Sequence, residues 1–351
     1  MNVLILGFRD ANPFFDEIEK ESSTHFTYGT IQDFNTNYDA ILIHWPEKIF
    51  NWKEPSIRDL DTFTTFLKTR KQENCPIVHC FHNERRHYGM TSNFETLYKL
   101  VWTYADVFIH FGSYSKMKYE KMYPEKVHEV IPHPLYLNSF SKISKTIGRK
   151  HLEISEKSKV IYIAGKLRKK AERDFILKAF DKLDVEDKLF LGHILLKNKF
   201  PIDLSARIGL RKLLSPIKKV YEYCANFDLR KKLASEDIKF LETPVNTKVI
   251  SNCVAASDVV LIPRLDSLNS GSIYLGFTFN KMVVGPAIGN MKEILEKTGA
   301  YSFNPENINL LVNTLKEALN VNEPKYGVNL VAMYPKNVAK KWDELFANLK
   351  Q

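Results

Sequence analysis

The sequence predicts an α/β protein of two tandem, doubly wound, Rossmann-like domains with a cleft between them. Three observations carry this. Short apolar runs alternate with helix-patterned segments along most of the chain. The alternation stops once, around Pro132-His133-Pro134, and restarts at Val160. A length of 351 residues exceeds what one hydrophobic core usually sustains, yet gives each of two domains enough to bury.

Each element follows from local pattern. Met1-Asn2-Val3-Leu4-Ile5-Leu6 is a short apolar run with no basic segment before it and no small-residue cleavage site after it, so it reads as a first strand rather than a signal peptide. The expectation is a cytoplasmic protein. A helix is predicted at 13–21 and a strand at 38–44, followed by a helix at 56–72 whose start is marked by Pro55-Ser56. Apolar runs at 76–81, 107–111 and 128–131 read as buried parallel strands, with helices at 94–104 and 115–122 between them. Residues 138–159 are a polar, Ser/Lys-rich connection. The second half repeats the theme, with a strand at 160–164 and a helix at 172–183. Apolar segments at 189–196 and 238–241, a helix at 247–256 and a strand at 258–262 follow, then a helix from 271 and strands at 282–284 and 300–303. A last helix, 337–349, carries Val338, Trp342, Leu345, Phe346 and Leu349 on one stripe and is expected to pack back across the interface. The domains are therefore 1–140 and 159–325, with 326–351 as a returning C-terminal segment. Open sheets of this kind bind ligands beyond the carboxyl ends of their strands, so the cleft between the domains is the expected site.

Composition narrows the function classes. With 44% hydrophobic and 26% charged residues and no long uninterrupted apolar run, the chain is neither disordered nor membrane-spanning. Cys75, Cys80, Cys224 and Cys253 lie scattered, without zinc or redox spacing, and read as reduced. The formal charge of +10 is uneven: residues 1–140 carry net −3, and the window 197–232 alone carries +7. In that window Leu204, Ile208, Leu214, Ile217 and Tyr221 recur at helical spacing among Arg211, Lys212, Lys218 and Lys219, with an interruption near Pro216. Two readings stand: an amphipathic helix facing an anionic membrane, which would make the protein peripheral on the inner face of the cell membrane, or a solvated helical insertion. No nucleic-acid partner is expected, since no binding motif appears and the aromatics are not interleaved with the bases.

Candidate chemistry sits at strand ends. After the apolar run Val259-Val260-Leu261-Ile262-Pro263 come a loop and then Ser270-Gly271-Ser272, a small-residue helix start whose free N–H groups and dipole suit a diphosphate. Many Ser-Gly pairs begin helices with no ligand, but a second signal points the same way. Ile161-Tyr162-Ile163-Ala164-Gly165 is followed by Lys166, Arg168, Lys169 and Lys170, basic groups suited to clamping phosphate. In the first half His44, His82 and His87 stand at or just past strand ends, where an imidazole could bond a sugar or phosphate or take a proton; each also has an ordinary structural reading. Glu47, Glu84 and Asp10 are carboxylates that could act as a base, and His133, between two prolines, reads as a hinge residue.

These motifs together resemble nucleotide-sugar glycosyltransferases of the GT-B fold, bacterial exopolysaccharide and capsule enzymes among them. The second half carries the likeness through Ile163-Ala164-Gly165-Lys166, Ala256-Ser257-Asp258-Val259-Val260-Leu261-Ile262-Pro263, Ser270-Gly271-Ser272 and Val283-Val284-Gly285-Pro286 to Gly289-Asn290-Met291-Lys292-Glu293. The first half adds Ile43-His44-Trp45-Pro46-Glu47, His82-Asn83-Glu84-Arg85-Arg86-His87, Tyr104-Ala105-Asp106 and Ile131-Pro132-His133-Pro134. The resemblance implies a hexosyltransferase that moves a sugar from a nucleoside diphosphate to a carbohydrate or lipid-linked acceptor. The alternatives are a non-catalytic nucleotide-sugar-binding protein and a nucleotide-sugar epimerase. Donor binding would fall to Lys166, Arg168, Lys170, Ser270, Gly271, Ser272 and Glu293; catalysis to His82, His87, Glu47 and Asp10; acceptor binding to Gly7, Phe8, Arg9 and His44. His82 matches the histidine that members of the family place against the donor sugar. No cofactor beyond the donor is expected, and no Asp-x-Asp stands at a strand end, so transfer is expected to be metal-independent. One departure stands out: where many retaining members carry two glutamates eight positions apart, this chain has Ser267 and Leu275, with Asp266 adjacent.

Overall fold

The structure, a computed structural model, describes every residue except 36, 87–88, 168, 194–207, 228, 230, 232–234, 242–245 and 350–351; the side chains of 208–213 are likewise undescribed. Strands β1 (Asn2–Leu6), β2 (His25–Gly29), β3 (Ala40–Ile43), β4 (Ile77–Cys80), β5 (Val107–His110) and β6 (Val127–Val130) form a parallel sheet in the order β2-β1-β3-β4-β5-β6. Parallel neighbours need crossovers, supplied by α1 (Phe14–Glu19), α2 (Ile57–Gln72), α3 (Ser92–Tyr104) and α4 (Ser113–Met122) among others. Helix α2 starts where Ser56 forces it to: the Ser56 hydroxyl accepts from the Asp59 amide while the Asp59 carboxylate accepts from the Ser56 amide. Covered on both faces, β3 is buried throughout, as its unbroken apolar sequence requires. β2 is a short, half-exposed edge strand without an apolar run, which is why the sequence pattern gives no sign of it.

The second sheet holds β7 (Lys159–Ile163), β8 (Lys188–Gly192), β9 (Ile238–Phe240), β10 (Val259–Leu261), β11 (Met282–Pro286) and β12 (Tyr301–Phe303) in the order β12-β11-β10-β7-β8-β9, again all parallel. Its helices are α5 (Lys145–His151), α6 (Lys170–Lys182), α7 (Ile208–Ala225), α8 (Thr247–Ala256), α9 (Gly271–Thr278), α10 (Gly289–Thr298) and α11 (Ile308–Leu319). Two expectations are corrected. The stretch 138–159 is not merely a polar connection: α5 packs on α8, and the buried Arg149 bonds the carbonyl of Ala256 at 3.2 Å and the carboxylate of Asp258 at 3.0 Å. Helix α7 is not interrupted near Pro216 but runs through it. On that helix and just after it, Ile217, Val220, Tyr221, Tyr223 and Phe227 face solvent.

The chain crosses between the sheets twice. On the way out, the Tyr136 amide donates to Thr278 Oγ1 at 2.9 Å, while Asn138 and Ser139 donate to the fully buried carboxylate of Glu17 on α1. On the way back, α12 (Pro335–Leu349) inserts Val338, Trp342 and Phe346 among Val3, Phe14, Phe15 and Phe26 of the first sheet. Asp343 then accepts bonds from the Ser23 and Thr24 amides ahead of β2.

Candidate active site

Each sheet has a point where the strand order reverses, between β1 and β3 in the first and between β7 and β10 in the second. Loops leaving the carboxyl ends of strands diverge there and leave a crevice. The two crevices face one another. Together they line a cleft of about 460 Å³ bordered by Asn12, Pro13, Trp45, His82 and His133 from the first half and Gly165, Lys166, Arg264 and Ser270 to Ser272 from the second.

The second-domain wall is cationic. Gly165 takes φ +94°, and a Cβ there would lie 3.2 Å from an Arg264 guanidinium nitrogen and 3.6 Å from Ser272 Oγ, so strand end, guanidinium and hydroxyl converge on one spot. Ser272 Oγ donates to the Ala164 carbonyl at 3.2 Å, which ties the start of α9 to the end of β7. No side chain caps the N-terminus of α9, and a Cβ on Gly271 would come within 2.7 Å of Tyr136 Oη. Arg264, buried itself, is steadied by Glu172 at 3.2 Å. Guanidinium, the exposed Lys166 ammonium and open amides at a helix start are group types that suit a diphosphate. Arg264 escaped the sequence reading because a single arginine after Pro263 resembles any loop residue.

The first-domain wall is aromatic. His82, just past β4, stacks on Trp45 at 4.7 Å and 16° and meets His44 edge-on at 4.2 Å and Phe111 at 4.6 Å. Burial holds the imidazoles of His82 and His44 well below the usual histidine range, and burial sets His133 down to about 3. All three are neutral at pH 7. His82 borders the cleft, its Nε2 is buried with no hydrogen-bond partner among the described residues, and the ring is a weak base. His133 stacks on Tyr274 at 4.1 Å and 10°, at the crossing between domains.

Several expected site residues stand elsewhere. Glu47 is fully buried, accepts from Tyr98 Oη at 2.8 Å and has its pKa raised by burial; it does not border the cleft. Asp10 pairs with Lys48 at 2.8 Å and accepts from the Asn12 amide, so it shapes the loop rather than facing a substrate. Gly7 is required at φ +124° by packing, since a Cβ would strike Lys48 Cβ at 2.8 Å. Arg9 turns to Asp16 and Glu19 and lies over the Tyr28 ring at 4.8 Å, Phe8 points to solvent, and His44 lies beneath His82; Ala11, Asn12 and Pro13 border the cleft instead. Lys170 pairs with Asp174 at 3.1 Å along its own helix. Glu84 pairs with Lys118 at 2.7 Å. Glu293 does not reach the donor wall: it accepts from the Ser113 amide at 2.7 Å and hydroxyl at 2.9 Å, at the start of α4 in the opposite domain. His87, Arg168 and, within the basic window, Lys197, Lys199, Arg207, Arg230 and Lys232 lie outside the described residues, as do the side chains of Arg211 and Lys212.

No protein-family model and no curated protein sequence matches this chain. Solved structures do. HepE from Anabaena in complex with UDP-glucose superposes with a TM-score of 0.63 at 13% identity over 99% of this chain and 98% of its own. A glycosyltransferase from Rickettsia africae gives 0.61 at 12% identity over 99% and 98%. Sucrose-phosphate synthase from Thermosynechococcus elongatus gives 0.63 at 12% identity over 89% and 74%. At these identities the likeness establishes architecture: two Rossmann-like domains in the GT-B arrangement.

Proposed function

We propose that this GT-B chain is a glycosyltransferase that moves a sugar from a nucleoside diphosphate to a carbohydrate hydroxyl, carbohydrate-only or lipid-linked, in polysaccharide or glycoconjugate synthesis. One observation carries the reading: both strand-order reversals open on one cleft, with Lys166, Arg264 and the uncapped start of α9 gathered on one wall and neutral His82 on the other. In the transfer, the bond between the anomeric carbon and the diphosphate oxygen breaks, the electron pair leaving with the diphosphate, while the acceptor oxygen bonds that carbon and its proton passes to the departing diphosphate or to solvent. Charge accumulates on the leaving diphosphate. Lys166, Arg264 and the α9 amides meet it there, the electrostatic task that usually dominates such a step. The neutral imidazole of His82 fits a hydrogen bond to a sugar hydroxyl. Because the cations are supplied by the chain, transfer is expected to persist in excess chelator; abolition by chelator and recovery with a divalent ion would overturn that part.

The complexes of HepE with UDP and UDP-glucose make uridine nucleotides the first probes. Thermal stabilisation should appear with a nucleoside diphosphate or its sugar and vanish in Lys166→Ala. Chromatography of the products then separates the outcomes: a lengthened glycan or slow donor hydrolysis supports the transferase, an isomerised donor points to an epimerase, and binding with neither leaves a non-catalytic binder. Absence of stabilisation by every nucleotide would sink the reading.

We further propose that α7 rests on an anionic membrane surface. Ile217, Val220, Tyr221 and Tyr223 are exposed on it beside Lys218 and Lys219. Apolar side chains facing solvent between bases fit an interfacial helix better than a solvated insertion, with about 1 kcal/mol of attraction per base near the surface. None of the described helices is long and apolar enough to cross a membrane. Flotation with phosphatidylserine vesicles at low salt should carry the protein up, and Lys218→Glu with Lys219→Glu should release it; retention by the variant would refute the anchor.

A further inference from the structure

We propose that Asn269 is a positioning residue: one side-chain amide in the donor loop holds the backbone of His82 in the opposite domain and so sets where the imidazole meets the bound sugar. The inference rests on the transferase reading above.

Asn269 Nδ2 donates to the carbonyls of Phe81 at 3.0 Å and of His82 at 2.9 Å. Carbonyls only accept, which fixes the orientation of this amide. Asn290 is fixed independently, because its Oδ1 accepts from the Ser115 backbone N–H at 3.0 Å and an amide N–H only donates. With both orientations set by outside partners, Asn290 Nδ2 faces Asn269 Oδ1 at 2.8 Å, donor to acceptor. A mismatched pair would have placed like groups together. Asn290 is fully buried and also donates to Ser115 Oγ at 3.0 Å; that hydroxyl meets His110 Nδ1 at 3.1 Å. His110 in turn bonds His128 at 3.0 Å, and His128 the Tyr123 carbonyl at 2.9 Å. Room for this is built in, since a Cβ on Gly112 would sit 2.9 Å from Asn290 Cγ.

Asn269 immediately precedes Ser270-Gly271-Ser272, so the loop that would hold the diphosphate also grips the chain at His82. The His82 ring stacks on Trp45 and its amide donates to the Cys80 carbonyl at 2.9 Å; the Asn269 grip on the two neighbouring carbonyls adds a restraint from the opposite domain. A displacement of about 1 Å at a reacting centre costs on the order of a hundredfold in rate. A separate clasp across this interface, Glu293 on Ser113, bonds the start of α4 and makes no hydrogen bond to His82.

That separation supplies the test, on the full chain with UDP and UDP-glucose as probes. Asn269→Ala should lower turnover of slow UDP-glucose hydrolysis at least tenfold, leave KM and the calorimetric Kd for UDP within threefold, and speed amide exchange of the unliganded protein at 81–83 at least tenfold. Asn290→Ala should shift all readouts the same way, less far, and the double variant should be no worse than Asn269→Ala. Asn269→Asp, which keeps the shape and removes both donors, should reproduce the loss if the alanine variant folds poorly. Ser113→Ala should leave turnover and exchange at 81–83 within threefold. Unchanged exchange in Asn269→Ala, or an equal loss in Ser113→Ala, overturns the proposal. If the wild-type chain hydrolyses no UDP-glucose, the transferase reading loses its support, and the exchange comparison still decides whether Asn269 holds His82.

Discussion

Lowering the pH from 7 to 5.5 should strip stability from the first domain before the second. His44, His79, His82, His110, His133 and His193 are all held neutral by burial, His79 and His193 down to about 4 and His110 and His133 to about 3. In the unfolded chain each takes up a proton near pH 6.5. Between that pH and the folded values the unfolded state therefore holds more protons, and stability falls as pH falls. Their contribution is in place above about pH 6.5 and is lost progressively down to about 3 to 4. From pH 7 to 5.5 the linkage is worth about 1.2 kcal/mol per histidine, roughly 7 kcal/mol for six. That compares with about 5–15 kcal/mol for a whole domain. Glu47, whose pKa burial raises, opposes this. Of the six, only His193, just past β8, lies in the second domain, so the loss concentrates in the first. Urea unfolding at the two pH values and constant salt, followed by near-ultraviolet dichroism, measures it. A change in unfolding free energy under about 2 kcal/mol would mean that the histidines do not stay neutral in the fold, or that water reaches them.

Three further outcomes follow from the cleft. Arg264→Met should weaken nucleoside diphosphate binding by about 10- to 150-fold, the worth of a charge-assisted bond, and Glu172→Gln added to it should restore stability without restoring affinity, as calorimetry and melting would report. Gly271→Ala should cost about 1–3 kcal/mol by driving a methyl against Tyr136 Oη, and Tyr136→Phe should recover most of it; no recovery in the double variant would rule out that contact as the cause. Glu293→Gln should cost about 1 kcal/mol in stability through Ser113 and leave the Kd for UDP unchanged, whereas a large loss of affinity would restore Glu293 to the donor site.

Both sheets were legible because fully buried parallel strands leave unbroken apolar runs such as Ala40–Ile43, while β2, half-exposed at an edge, leaves none. Lys166 and Ser270 to Ser272, read from the sequence as a base after one strand and a small-residue helix start after another, do border the cleft. Glu47, Asp10, Lys170 and Glu293 bond other residues of the protein, contacts the sequence could not show because a carboxylate or ammonium facing its own chain is written with the same letter as one facing a ligand. Asn269 left no signal, and Asn290 stood in the Gly289-to-Glu293 stretch with nothing to name its partner. Their amides meet only because α9 and β11 fold between them, and neither neighbourhood shows a pattern that announces it.

The return of α12 to the first sheet also bears on the order in which the chain can fold. Trp342, with no exposed surface, joins Val338, Ala339, Leu345 and Phe346 of its helix in a core otherwise drawn from residues 3–131. During synthesis that core stays open until residue 349 has been made, by which time the second domain is complete. At about 5–20 residues per second the gap between making Phe14 and making Trp342 is tens of seconds, with apolar strands uncovered throughout. A chain ended after residue 333 would hold every residue of the Leu135-to-Met333 core and lack Val338, Trp342 and Phe346 of the first-sheet core, so the amino-terminal half is the part left open.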